Sequence, residues 1–218
     1  MARVKEPWHV ARPALRNEIE SALKAEQTDL YVVERDGVLF LNGAFVVRDA
    51  NGELDRFAVR ITFPDDYPDS LPVIEEVGGR IPRIADRHIN PNGSACLLVP
   101  EEWLAAKDQS FRAFLRGPMH SFFVGQSLAE MGKPWPFGER PHGLAGVVES
   151  YEEILGVRGI DQVRSFLTML VKECIKGHWP CPCASGLRLR KCHGHVLREL
   201  SERVTPPIAE KMLQRLAQ

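Results

Sequence analysis

Between Leu30 and Phe63 short apolar runs rich in β-branched and aromatic residues alternate with two strong turn signals, and few folds accommodate that order. Leu30 to Glu34 carries the tyrosine and valines that suit a pleated, half-buried surface. Asp36-Gly37 follows as a hairpin turn, since both residue types tolerate left-handed backbone. Val38 to Val47 reads as a second strand whose internal Gly43 suggests a bulge. Asp49-Ala50-Asn51-Gly52 makes another turn, and Arg56 to Phe63 alternates with the period of two that a strand requires. Two tight turns joining three strands dictate an antiparallel meander.

Around the meander the pattern becomes helical. Val10, Ala14, Leu15, Ile19, Ala22 and Leu23 fall on one stripe of a helix, and Pro13 fixes its first turn near Arg12. After the meander, Phe63 to Val77 holds three prolines in nine residues, which excludes regular helix there but leaves room for a short fourth strand at Val73 to Val77. Residues 78–95 show no periodicity and read as a long loop, a feature that in compact domains tends to carry function. Ser110 is placed to cap a helix running to about Met131, with Gly117-Pro118 expected to kink or delay it. Further helices are expected at Leu144 to Leu155, at Ile160 to Cys174 with Cys174 in the core, and as two short pieces of Val196 to Leu216 broken at Pro206-Pro207. The class is α+β. The glycine-bearing joint Gly156 to Gly159 sets the expected boundary between a domain 1–157 and a helical module 158–218.

With 218 residues and a net charge of -1, nothing in bulk electrostatics argues for nucleic acid or an anionic membrane as a partner. The first residues lack an apolar leader core and no run is long enough to span a bilayer, so a cytoplasmic protein is expected. Five cysteines is an odd number, and three of them crowd between positions 181 and 192. That distribution suits metal binding in a reducing compartment better than a disulfide framework.

Cys96 stands apart from the others. It follows the turn Asn90-Pro91-Asn92-Gly93 and precedes Leu97-Leu98-Val99, so polar residues leave the sulfur near solvent while the apolar run is expected to pin the backbone to a core. A reactive thiol needs both conditions, although most unpaired cysteines are simply small hydrophobes.

The order of these marks resembles the ubiquitin-conjugating enzyme fold. The residues that carry the resemblance are Tyr67-Pro68-Asp69-Ser70-Leu71-Pro72, Asn92-Gly93-Ser94-Ala95-Cys96-Leu97 and Trp103, and it covers about residues 10–157. It implies that Cys96 accepts the C-terminal glycine of a partner protein as a thioester and passes it to an amine or thiol. No phosphate-cradling loop occurs in this chain, so a separate ATP-dependent activating enzyme is implied as a further partner. In that family an asparagine braces the loop and helps the oxyanion. Here its place falls on His88, with Asn90 the competing candidate for an oxyanion donor. Glu101 and Asp108 are the acidic groups near enough in sequence to assist an acceptor. The segment 132–140, with Trp135 and Phe137 as candidate core plugs, is similar to bacterial ubiquitin-conjugating-like proteins of antiphage operons (the CBASS type). Their partner is a cyclic-oligonucleotide synthase; a bacterial ubiquitin-like protein is the alternative donor.

The tail carries a second chemistry. Cys181, Cys183, Cys192 and His193 form a C-x-C-x8-C-H pattern, which supplies the sulfur and imidazole ligands that tetrahedral structural zinc takes. His195 is the alternative fourth ligand and His178 a weaker one. Residues 179–195 resemble the SEC-C zinc motif. Arg188, Arg190, Lys191 and Arg198 make this stretch basic, either as a solvated face or as a dock for an acidic partner.

Overall fold

A computed structural model describes residues 6–136 and 143–217. Phe137 lies outside the described residues, so its expected role as a core plug has no structural counterpart here. The described chain packs as two compact units, residues 6–98 with 108–136 and residues 99–107 with 143–217. Among the described residues no helix is long and apolar enough to cross a membrane.

The first unit is built on the meander. Strands β1 (Leu30–Arg35), β2 (Val38–Asp49), β3 (Gly52–Thr62) and β4 (Val73–Glu76) form one antiparallel sheet in the order β1-β2-β3-β4. Asp36 and Gly37 both take positive φ, as the two-residue hairpin demands. Gly43 is not the site of a bulge, because the register shift falls between Val47 and Arg48. Gly43 instead permits a close crossing, since a Cβ there would lie 2.0 Å from the carbonyl oxygen of Asp29.

Helices α1 (Trp8–Ala11) and α2 (Pro13–Glu26) pack together, and α2 in turn packs on β1 and on the helix that begins after Ser110. Pro13 occupies the first turn of α2, where a missing N–H costs nothing. Of the stripe that the sequence spacing gives, Ile19, Ala22 and Leu23 are buried and Leu15 is half-buried, whereas Val10 and Ala14 are exposed. Buried Gln27 closes α2 onto β2, accepting the N–H of Val46 at 2.8 Å and donating to its carbonyl at 3.0 Å.

After the Ser110 cap, which accepts the N–H of Ala113, α4 (Phe111–Phe114) runs through a wide π-turn (Leu115–Met119) into α5 (His120–Glu130). The π-turn absorbs Pro118, whose ring cannot fit under a regular i−4 carbonyl. Phe123 of α5 lies 4.9 Å from the rings of both Phe45 and Phe57 and forms the centre of this core. The proline-rich segment is fastened by aromatic contact, with Trp8 4.8 Å from Tyr67 and Phe63 5.5 Å from Phe111; the Tyr67-Pro68 bond is cis.

The second unit is helical. It comprises α3 (Pro100–Leu104), α6 (Leu144–Leu155), α7 (Ile160–Leu170), α8 (Gly194–Ser201) and α9 (Pro206–Arg215). Tyr151, Leu155, Val163, Phe166, Leu167, Leu197 and Met212 share one core, so α6 packs with the tail and the 157/158 joint falls inside this unit. Residues 99–107 are sewn into it: Glu101 accepts from Arg215 at 2.8 Å, Glu102 from Ser150, and Ala105 joins the core. The α7 helix stops at Leu170, earlier than the sequence spacing implies, and Cys174 is exposed rather than buried.

Candidate functional site

Cys96 is exposed, at the end of a small hairpin laid along the edge of β4. Bridges pair Glu75 with Ser94 and Ile89 with Ala95. The N–H of Ala95 donates to the carbonyl of Ile74 at 2.7 Å, and the N–H of Cys96 donates to the carbonyl of His88 at 2.8 Å. Leu97, Leu98 and Val99 are only half-buried, so the bracing comes from these backbone bonds and from buried Ile89 rather than from the leucines.

The turn is closed by its own side chains. Asn92 accepts both the N–H (3.1 Å) and the hydroxyl (2.8 Å) of Ser94, and Asn90 donates from Nδ2 to the Ser94 oxygen at 3.0 Å. Gly93 supplies the positive φ of 89° that this turn needs. One N–H of the Asn90 amide is thereby committed to the turn.

His88 caps a short 3-10 turn (Ala85–Arg87) in left-handed conformation, φ 51° and ψ 39°, and its ring lies 4.5 Å from that of Trp135. Backbone in that region is uncommon for a residue other than glycine and persists only where the surroundings enforce it. Cys96, His88 and Asn90 are thus gathered on one hairpin. The two acidic candidates have partners of their own. Glu101 is buried against Arg215, and Asp108 accepts the N–H of Ser110 at 2.9 Å; hydrogen bonding from the Ser110 side chain and then from this N–H holds its carboxyl below the usual range.

Sequence reasoning missed the lock beneath this hairpin. Arg87 donates to the side-chain oxygen of buried Gln126 at 2.8 Å and to its carbonyl at 3.2 Å, while the Gln126 amide returns a bond to the Arg87 carbonyl at 2.7 Å. Nothing in residues 39 positions apart announces such a pairing. Ile89 and Gly93 also line a cavity of about 360 Å³ with Arg60, Glu75, Ile81 and Arg83; Cys96 is not among its lining residues.

In the second unit the four predicted metal ligands converge. The ligand atoms of Cys181, Cys183, Cys192 and His193 all lie within 4.8 Å of one another. His193 Nδ1 is 3.3 Å from Cys181 Sγ and 3.1 Å from Cys192 Sγ, and the sulfurs of Cys183 and Cys192 are 3.5 Å apart. Metal–sulfur bonds near 2.3 Å and metal–nitrogen bonds near 2.0 Å give tetrahedral edges of roughly 3.5–3.8 Å, so the donor set fits a metal ion with only small adjustment.

Local geometry explains the convergence. A hairpin pairs Pro180 with Arg188, its turn carried by positive φ at Ala184 and Gly186. Cys192 then follows a 3-10 turn (Leu189–Lys191), and His193 sits at the N-cap of α8 with its ring edge-on to Phe166 at 5.2 Å. His195 is exposed and outside the cluster. Hydrogen bonding from Ser185 lowers the Cys183 thiol to about 6, whereas burial raises that of Cys181. Neutral pH therefore favours a thiolate at one ligand position before any ion arrives. Arg188, Arg190, Lys191 and Arg198 are all exposed, and none of them makes an ion pair among the described residues.

Comparison of the chain with protein-family models, curated proteins and solved structures gave no match.

Proposed function

We propose that the protein is a cysteine acyltransferase of the ubiquitin-conjugating kind, carrying the C-terminal glycine of a partner protein as a thioester on Cys96. The observation that supports it most is an exposed Cys96 on a hairpin braced by backbone bonds to Ile74 and His88. Such a thiol meets a macromolecular chain end in one geometry. The element order also accords with that fold: a helix, a four-strand meander, a Tyr-Pro turn, a loop ending in Asn-Gly-x-x-Cys, then helices.

The chemistry balances as two acyl transfers. The Cys96 thiolate attacks the activated glycine carbonyl, a C–S bond forms, and the partner's leaving group departs with its electron pair. An acceptor amine then attacks the same carbonyl, loses its proton to solvent, and expels the Cys96 thiolate as the amide forms. A separate ATP-consuming protein supplies the activated acyl group. His88 and Asn90 are the candidate donors to the developing oxyanion, a position where one hydrogen bond commonly contributes about 3 kcal/mol. The donor is a cyclic-oligonucleotide synthase of an antiphage operon; a bacterial ubiquitin-like modifier is the second reading.

The cysteine–histidine centre is read as a structural zinc site, because four protein ligands fill the tetrahedron and leave no position for a catalytic water. When bound, zinc supplies a crosslink between the 180–188 hairpin and the start of α8. Cys181, Cys183, Cys192 and the Nδ1 atom of His193 hold it.

Incubation with the activating partner, ATP and a glycine-terminated protein tests the reading. A reductant-sensitive adduct is expected, absent in Cys96→Ala. An adduct that survives Cys96→Ala removes Cys96 from the mechanism. His88 standing where the family has asparagine, together with the burial of Glu101 against Arg215, favours one other reading, a scaffold of the same fold without turnover. Ready alkylation of Cys96 with no adduct under any donor would select it.

A further inference from the structure

We infer that Trp135 is a positioning residue for the Cys96 hairpin, acting through His88. The sequence suggests only a core plug for this tryptophan, yet it is half-buried and in ring contact with His88 at 4.5 Å and 44°. Its indole is seated over Gly125 of α5. A Cβ at that position would come within 2.4 Å of the ring, so only glycine lets the ring lie there. Phe122 flanks it at 6.2 Å. The stack therefore runs from α5 through Trp135 to His88, and His88 in turn receives the Cys96 N–H on its carbonyl at 2.8 Å.

Two features make this more than packing. His88 holds a left-handed backbone that a β-carbon disfavours, so its surroundings must keep it there. On one side of His88 the Arg87–Gln126 pairing fixes the preceding residue to α5, and on the other its carbonyl orients the residue that bears the thiol. Trp135 closes this arrangement through its tilted contact with the imidazole ring, a geometry in which aromatic pairs attract beyond simple burial. Removing it frees His88 to relax toward ordinary backbone, and the Cys96 N–H loses its fixed acceptor.

The purpose assigned to the clamp rests on the proposed role of Cys96, but its existence is measured without any transfer reaction. Residue-resolved amide hydrogen exchange on the full chain reads the Cys96 N–H directly. Trp135→Ala and, separately, Gly125→Ala, which keeps the indole but displaces it, are each expected to speed exchange at Cys96 by about tenfold, with amides of β2 and β3 unchanged. Trp135→Phe is expected to restore protection to within about threefold of the natural chain, since a ring again meets His88. His88→Gln should match Trp135→Ala, and the double variant should add nothing, because both act through one contact. Unchanged exchange at Cys96 in Trp135→Ala or Gly125→Ala, or additive effects in the double variant, overturn the inference. The transferase reading would still stand or fall on its own adduct test.

Discussion

Cys96 and the cluster of Cys181, Cys183 and Cys192 are two ways of using sulfur in one chain. At the cluster the side chains turn toward each other and toward a histidine, and their ligand atoms converge within 4.8 Å. At Cys96 it is the backbone that is held, by its own N–H on the His88 carbonyl and by that of Ala95 on Ile74, while the residue itself stays exposed. The contrast separates two demands on a thiol. A structural centre needs the donors fixed relative to one another. A nucleophile needs its own main chain fixed and its sulfur left accessible. Burial, hydrogen bonds and fold position therefore separate the two proposed roles where residue type does not.

The largest effect expected from this contrast is that of chelation. Zinc in small modules contributes on the order of 10 kcal/mol to folding, so under the proposed zinc reading chelation should melt α7 to α9, as seen by loss of amide protection in residues 160–215. Protection in β2 and β3 should persist. Equal loss in both units would erase the distinction drawn above, and no loss in the second would deny the centre its structural role.

Next in size is Phe123→Ala in the other core. It vacates the position between Phe45 and Phe57 and should cost about 3–5 kcal/mol in urea unfolding followed by first-unit probes, with metal content unchanged.

A smaller, pH-dependent effect belongs to Asp55. Hydrogen bonds from the Arg80 guanidinium at 2.7 and 2.8 Å, aided by Ser127, lower its carboxyl to about 2. A depressed carboxyl stabilises the fold fully above its unfolded value near 4 and loses that contribution as pH falls through about 2. Asp55→Asn should therefore destabilise by about 2 kcal/mol at pH 7 and by little at pH 2, as comparison of the two unfolding curves would show. An equal deficit at both pH values would mean that the carboxylate charge is not what matters.

Smallest of all is Cys96→Ser. With the residue exposed, stability should change by no more than about 0.5 kcal/mol, while metal stoichiometry stays at its natural value and alkylation at this position disappears. Cys183→Ser reverses that pattern by lowering metal content and sparing Cys96 alkylation.

Local chemistry made most of this legible in advance. Turn residues at 36–37 and 49–52 announced the meander, Pro13 and Ser110 marked helix starts, and the 181–193 spacing pointed to the four ligands. What stayed hidden depended on contacts between distant residues. The Arg87–Gln126 lock, the seat of Trp135 on Gly125 and the approach of Gly43 to Asp29 have no periodic trace. Cys174 misled for the same reason: the apolar spacing of α7 continues past Leu170, but the helix does not, so a position counted as core lies exposed. At the cluster, sequence left His193 and His195 open, and only the turn before α8 decides between them.

The excursion of residues 99–107 bears on how this chain can be cut. Three residues after the thiol, the polypeptide joins the helical unit, contributes Ala105 to its core and Glu101 to Arg215, and then returns to cap α4 at Ser110. A truncated version ending at 136 would keep this nine-residue detour but strip away the helical core it joins, leaving Glu101 without its guanidinium and Ala105 without its core. Whoever wishes to study the thiol by itself will need to replace that detour with a short polar linker rather than simply stop translation early.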